Sequence, residues 1–275
     1  MNEQIERTEP AEAAEAGTEK DSSTAVKWTR KVADQGNAPP QSPVMLGNKY
    51  RDGKGVEKDE VMAVKWYRKG ADQGDASAQN NLGLMYSQGR GVAKDESMAV
   101  EWFRTAADQG DASAQYNLGI MYQHGWGVDQ SDATAVKWYR KAAGQGHAGA
   151  QCDIGIMYRH GRGVPKSDSA AAKWYIQAAG QGHATSQFRL GKMYMTGTAV
   201  PKNRRMAIEL ILKAADQGLA DAQLLIGKEY MQGKNVPFNF REAVRWLRKA
   251  DAQGNEQAAR CIETIETMAE LAVSG

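Results

Sequence analysis

Apolar and small residues recur along this chain with two interleaved rhythms. Between Asp75 and Gly110, positions Ala76, Gln79, Leu82, Gly83 and Tyr86 fall at steps of three and four, the spacing of one helical face. A second segment repeats the rhythm in Ala63, Trp66, Tyr67, Gly70 and Ala71, at i, i+3, i+4, i+7 and i+8. Both segments return with a fixed period. Leu46-Gly47, Leu82-Gly83, Leu118-Gly119, Ile154-Gly155, Leu190-Gly191 and Ile226-Gly227 are each 36 residues apart. Trp66, Trp102, Trp138 and Trp174 keep the same step, Leu210 takes one turn, and Trp246 returns in phase. Trp28 is two residues out of step, because Ala38–Pro43 lengthens that connection. Such a period predicts stacked helix pairs, none able to bury its apolar face alone.

The punctuation agrees. Gly89-Arg90-Gly91-Val92 reads as a turn whose glycines permit positive φ. Asp59, Asp95, Ser131, Ser167, Asn203 and Asn239 stand where the second helices begin, and all are N-capping side chains. Gly74 is placed as a helix stop. A glycine inside a helix costs about 1 kcal/mol relative to alanine. The return of Gly83, Gly119 and Gly155 therefore predicts close helix crossings, with the Trp-bearing helix against the bare backbone. A side chain at Gly119 is expected to wedge that crossing apart. The sixth unit is expected to be the weakest, with Leu210 for Trp, Ala199 for the second loop glycine and Thr198 for a basic residue. Asn235, at the loop site of Ala199 one unit later, is expected to tolerate the left-handed region.

The pattern Ala-x-Ala-Gln-x-x-Leu-Gly-x-Met-Tyr-x-x-Gly-x-Gly-Val, followed by Ala-Val-x-Trp-Tyr-x-x-Ala-Ala-x-Gln-Gly, resembles the Sel1-like repeat, a relative of the tetratricopeptide repeat. The resemblance runs from about Thr24 to Gln257. It implies an all-α solenoid: a right-handed superhelix of about six to seven antiparallel helix pairs, acting as an adaptor or scaffold with a partner in its concave groove. It also implies that Gly83, Tyr86, Trp102, Gly119, Trp138, Gly155 and Trp174 are packing residues rather than ligand contacts. The expected organisation is an acidic, disordered arm over 1–23, the repeats over 24–255 and a capping helix over 256–275. In that last segment Ile262 takes the Leu position and Glu263 stands where Gly is otherwise found.

Composition narrows the function classes. Of 275 residues, 41% are hydrophobic and 25% charged, the balance of a globular chain. No stretch of 18 apolar residues marks a membrane span. Cys152 and Cys261 are too few for a disulfide framework and fit a reducing, cytoplasmic setting. The arm carries net −5, leaving +7 on the remainder of a chain whose formal net charge is +2. The cations of the second helices, such as Lys65, Arg68 and Lys69, alternate with acids and read as a solvated outer face rather than a nucleic-acid site.

Candidate chemistry is sparse. Some cysteine-rich relatives of the family are described as β-lactamases or cell-wall hydrolases, but neither Ser-x-x-Lys nor Lys-Thr-Gly occurs here. No catalytic residue, metal, cofactor or small-molecule substrate is expected. His124 with His160, and His147 with His183, read as duplicated surface loop residues too few for a metal.

Positions that vary within a fixed frame are those that packing leaves free. On the first helices one such site reads Asn80, Tyr116, Cys152, Phe188, Leu224, and the next Asn81, Asn117, Asp153, Arg189, Leu225. Two others read Leu84, Ile120, Ile156, Lys192, Lys228 and Ser87, Gln123, Arg159, Met195, Met231. A partner groove is thus expected over Tyr116, Arg159, Phe188, Arg189, Lys192, Met195, Leu224, Leu225, Lys228 and Met231. Its apolar residues predict an exposed patch and its cations favour an acidic-hydrophobic protein segment. Trp126 stands where other units have Lys54, Arg90, Arg162, Thr198 and Lys234. It is expected to face solvent, either folded over Val128 or Tyr122 or serving as an interface anchor.

Overall fold

The computed structural model describes residues 41–274. The expected acidic arm and Trp28 lie outside the described residues. Thirteen helices and no strand occur among the described residues. They are α1 (Gln41–Asp52), α2 (Glu60–Asp72), α3 (Ala76–Gln88), α4 (Glu96–Asp108), α5 (Ala112–His124), α6 (Asp132–Gly144), α7 (Ala148–His160), α8 (Asp168–Gly180), α9 (Ala184–Thr196), α10 (Arg204–Asp216), α11 (Ala220–Gln232), α12 (Phe240–Asp251) and α13 (Glu256–Ser274). The fold class is an all-α helical repeat solenoid. The chain divides into two compact units, one ending at Ser131 and the other beginning at Asp132. In the first, consecutive helices from α1 to α5 pack on one another; in the second, consecutive helices from α6 to α13 do so. Their connections are short, which sets neighbours antiparallel.

The helix starts follow their caps. Asp59 Oδ1 accepts from the Met62 backbone N–H, and Asp95, Ser167, Asn203 and Asn239 do the same for their helices. The first helices end on left-handed glycines, such as Gly89 at φ 66°. The second loop glycine has a further duty. A Cβ on Gly127 would lie 2.4 Å from the Glu96 carbonyl oxygen, so this loop seats on the start of the preceding second helix.

The helical glycines do sit at crossings, but not under the tryptophans. A Cβ on Gly83 would lie 2.7 Å from Phe103 Cδ1, and one on Gly155 2.6 Å from Tyr175 Cε1. At Gly191 and Gly227 the facing residues are Ile211 and Leu247. The residue after the Trp position fills the crossing. Tyr67, Phe103, Tyr139 and Tyr175 are accordingly buried, whereas Trp102, Trp138 and Trp174 are half-buried beside them.

A glutamine ladder was missed. Gln79, Gln151, Gln187 and Gln223 are buried, and each Nε2 donates to a backbone carbonyl eight residues back, as from Gln79 to Ala71 at 3.2 Å. Each Oε1 accepts from a glutamine 30 residues on, as from Gln181 to Gln151 at 2.8 Å. The buried amides are thus satisfied, which burial demands. The signal was the repetition of Gln itself at a face otherwise apolar.

The second-helix cations are also more than a solvated face. Lys69, Lys141 and Lys249 lie over the rings of Trp66, Trp138 and Trp246, with Nζ 5.2, 4.0 and 4.1 Å from the centroids. Arg68, Arg104 and Arg140 donate to the hydroxyls of Tyr86, Tyr122 and Tyr158.

Candidate functional site

Each unit carries a hollow beside its first helices. In the second unit, Arg159 at the end of α7, Phe188, Arg189 and Lys192 on α9, and Leu219 before α11 surround a space of about 310 Å³. Four of the expected groove residues are brought together there. Three are cations, against the single carboxylate of Asp221 on the wall. Arg159 Nη1 also reaches Asp168 at 3.5 Å, and Lys192 Nζ lies 5.2 Å from the Phe188 ring centroid.

The remaining expected residues are placed otherwise. Leu224 is buried in a core with Leu247 and Ile265, because α13 covers that side of α11. Met231 packs against the same core, and Met195 and Leu225 against that of Ile208 and Ile211. The open apolar patch is therefore absent from these positions, whose side chains are drawn into the helix contacts. Lys228 Nζ reaches Gln257 Oε1 on α13 at 3.4 Å. Tyr116 belongs to the first unit, half-buried on α5.

Tyr175 lines the floor of this hollow. It is fully buried, its hydroxyl has no hydrogen-bond partner, and neither has the buried Nε of Arg189. Burial pushes the Tyr175 phenol up to about 12, against the weaker pull of the Arg189 and Arg159 charges. The Arg189 guanidinium lies close enough to pull the phenol down both by its charge and as a hydrogen-bond donor, although the geometry between them falls short of a formed hydrogen bond.

In the first unit a hollow of about 380 Å³ is lined by Leu84, Phe103, Ile120 and Trp126. Trp126 is 45% exposed and stacks on His124, ring centroids 4.5 Å apart. It interrupts a series of ion pairs. Arg90 Nη2 meets Glu60 Oε1 at 2.6 Å and Arg162 Nη2 meets Asp132 Oδ1 at 2.9 Å. The matching acid, Glu96, is paired with Lys94 at 2.7 Å, as Glu60 also is with Lys58 at 3.2 Å.

The histidines separate by role. His160 is exposed. His147 and His183 are half-buried N-caps of α7 and α9, not surface loop residues: His147 Nδ1 accepts from the Ala150 N–H at 3.1 Å, and His183 Nδ1 from that of Ser186 at 3.4 Å. Their counterparts Asp75 and Asp111 show the signal that was available, a capping position one period away. Among the described residues no three His, Cys, Asp or Glu side chains cluster to hold a metal, and no helix is long and apolar enough to cross a membrane. Cys152 is buried, and burial raises its thiol pKa above the usual range.

The Sel1 repeat family matches over residues 13–37, 44–75, 76–111, 112–147, 148–183, 184–219 and 220–255. The chain belongs to the Sel1 repeat family. A Sel1 repeat protein from Oxalobacter formigenes is 36% identical, with a TM-score of 0.78 over 87% of this chain and 68% of that one. The c5321 protein, a protective antigen of uropathogenic Escherichia coli with an SLR fold, is also 36% identical, with a TM-score of 0.74 over 90% of this chain. This chain spans 52% of the length of that antigen. Yeast Tom70, at 13% identity and a TM-score of 0.50 over 92% of this chain and 60% of its own, shares the fold alone. Among curated proteins none matches significantly. Sel1 repeats are helical scaffolds, and no catalytic family is among these matches.

Proposed function

We propose that this Sel1 repeat chain is a non-enzymatic adaptor that holds an acidic-hydrophobic segment of a partner protein against its second unit. The observation carrying this reading is the gathering of Arg159, Arg189 and Lys192 around Phe188 and Leu219 in one hollow. Such a mixture favours a segment whose acids meet the cations while an apolar side chain fills the space between them. The two free thiols, Cys152 and Cys261, fit a reducing cytoplasmic setting.

The test is comparative capture with wild type and Lys192→Glu. Lys192 is exposed, so the change leaves the helices intact, which circular dichroism checks. Proteins held by wild type and released by the variant are expected. The same set retained by both would overturn the reading.

A further inference from the structure

We propose that Tyr175 and Arg189 form a carboxylate seat at the floor of the second unit's hollow, which takes the side chain of an aspartate or glutamate from the bound segment. The inference deepens the adaptor reading and rests on it.

Tyr67 and Tyr175 occupy the same position three repeats apart. Both are buried, and both press on a helical glycine, Gly47 and Gly155. The Tyr67 hydroxyl donates to Asn48 Oδ1 at 2.7 Å. The residue matching Asn48 three repeats on is Ile156, which has nothing to accept with. The Tyr175 hydroxyl is thereby left without a partner. A buried hydroxyl with its acceptor removed loses a hydrogen bond that burial otherwise requires.

A second orphan stands beside it. Arg189 occupies the site of Asn81 and Asn117, and the Asn117 amide is satisfied by Asn80 Oδ1 at 2.8 Å. The Nε of Arg189 is buried and has no acceptor. The phenol hydroxyl and the guanidinium Nε are buried donors without acceptors, and both residues line the hollow. The phenol stays protonated over the physiological range, since burial pushes it up to about 12. Arg159 and Lys192 add positive charge on the wall, where Asp221 opposes them and Asp168 pairs with Arg159.

Donors without acceptors, under net positive charge, call for an anion with two oxygens. A carboxylate meets guanidinium side-on and accepts a phenol hydrogen bond at the same time. Phe188 and Met193 line the same space and suit the aliphatic stem of an acidic side chain rather than a fully hydrated phosphate.

The test uses the full chain and a small probe, the capped peptide acetyl-Leu-Glu-Leu-amide, followed through the Arg189 Nε–H resonance. Saturable shifts are expected. Acetyl-Leu-Gln-Leu-amide is expected to bind at least about tenfold more weakly, the scale of a charge-assisted hydrogen bond. Tyr175→Phe, which keeps the ring at Gly155, is expected to weaken the Glu peptide to a similar extent. Ile156→Asn, which supplies the acceptor seen at Asn48, should weaken it as well. Equal binding of the Glu and Gln peptides, or an unaffected Tyr175→Phe, would overturn the seat. Tighter binding of inorganic phosphate than of the Glu peptide would also overturn it, in favour of a phosphate site. Partners released by Lys192→Glu but held by Tyr175→Phe would sink the seat and leave the adaptor reading standing. A Glu-selective seat without any partner sensitive to Lys192→Glu would do the reverse.

Discussion

Replacing Gly83 by valine would set a Cβ 2.7 Å from Phe103 Cδ1, at a crossing where the facing ring is buried. The expected loss is about 1–3 kcal/mol, the range of overpacking, read as a lower midpoint in chemical unfolding. An unchanged midpoint would show that the crossing yields. Ala199 is the opposite case. Among the described residues it is the one non-glycine at positive φ, 58°, where Gly91, Gly127 and Gly163 stand in other repeats. Ala199→Gly should therefore stabilise by about 1 kcal/mol, since the left-handed region penalises a Cβ. Asn235 at the same site avoids that region and donates from Nδ2 to Glu229 Oε2 at 2.6 Å. Trp126→Arg would restore the residue type that pairs with an acid at Arg90 and Arg162. Thermal stability is expected to stay within about 0.5 kcal/mol, as for other surface changes; a larger loss would assign the ring to the fold. The helical glycines were legible because their cost demanded a steric reason. Which residue filled the gap was not, because Trp66 and Tyr67 are adjacent on the helix and only its rotation decides which one meets the glycine.

Among the helices, starts and connections carry the differences. α9 is capped by a half-buried histidine where α3 and α5 have aspartates. Burial lowers the His183 pKa, opposed by the Asp153 charge on α7. The folded state thus binds this proton less readily than the unfolded chain. Its contribution is present above the ordinary histidine range near pH 6.5 and is lost as pH falls through and below it. Protonation also removes the Nδ1 acceptor and puts positive charge at a helix N-terminus. Amide exchange at Ser186 and Gln187, corrected for the intrinsic pH effect, should quicken between pH 7.5 and 5.5 in wild type and not in His183→Asp. Equal corrected rates in wild type would remove the histidine from any role in the cap. Along the chain, exchange is also expected to be faster over residues 196–212 than over 88–104. The first segment holds the strained Ala199 and lacks an ion pair like that of Arg90 with Glu60. Equal protection of both would contradict this. The caps could be read in advance because Asp, Ser and Asn announce themselves; a histidine cap was masked by the expectation that histidines mean metal or surface.

For the molecule as a whole, period, fold class and family were visible in the spacing of Leu-Gly and Trp. The binding surface was visible only in part. Variation between repeats picked out Arg159, Phe188, Arg189 and Lys192, which do share a hollow. It could not tell that α13 would bury Leu224, because that depends on what covers the last pair of helices. Nor did it single out Tyr175, a repeated packing residue whose hydroxyl is left open by a change nineteen residues earlier, at Ile156. An acidic-hydrophobic segment is the occupant we propose for the second unit's hollow. Selection of random dodecapeptides on the purified chain tests it most directly, with the selected peptides then titrated against wild type and Lys192→Glu. Enriched sequences are expected in which Asp or Glu flanks a Leu, Phe or Met, bound at least tenfold more weakly by the variant, about 1.4 kcal/mol. Enrichment of basic peptides, or binding indifferent to Lys192→Glu, would contradict it.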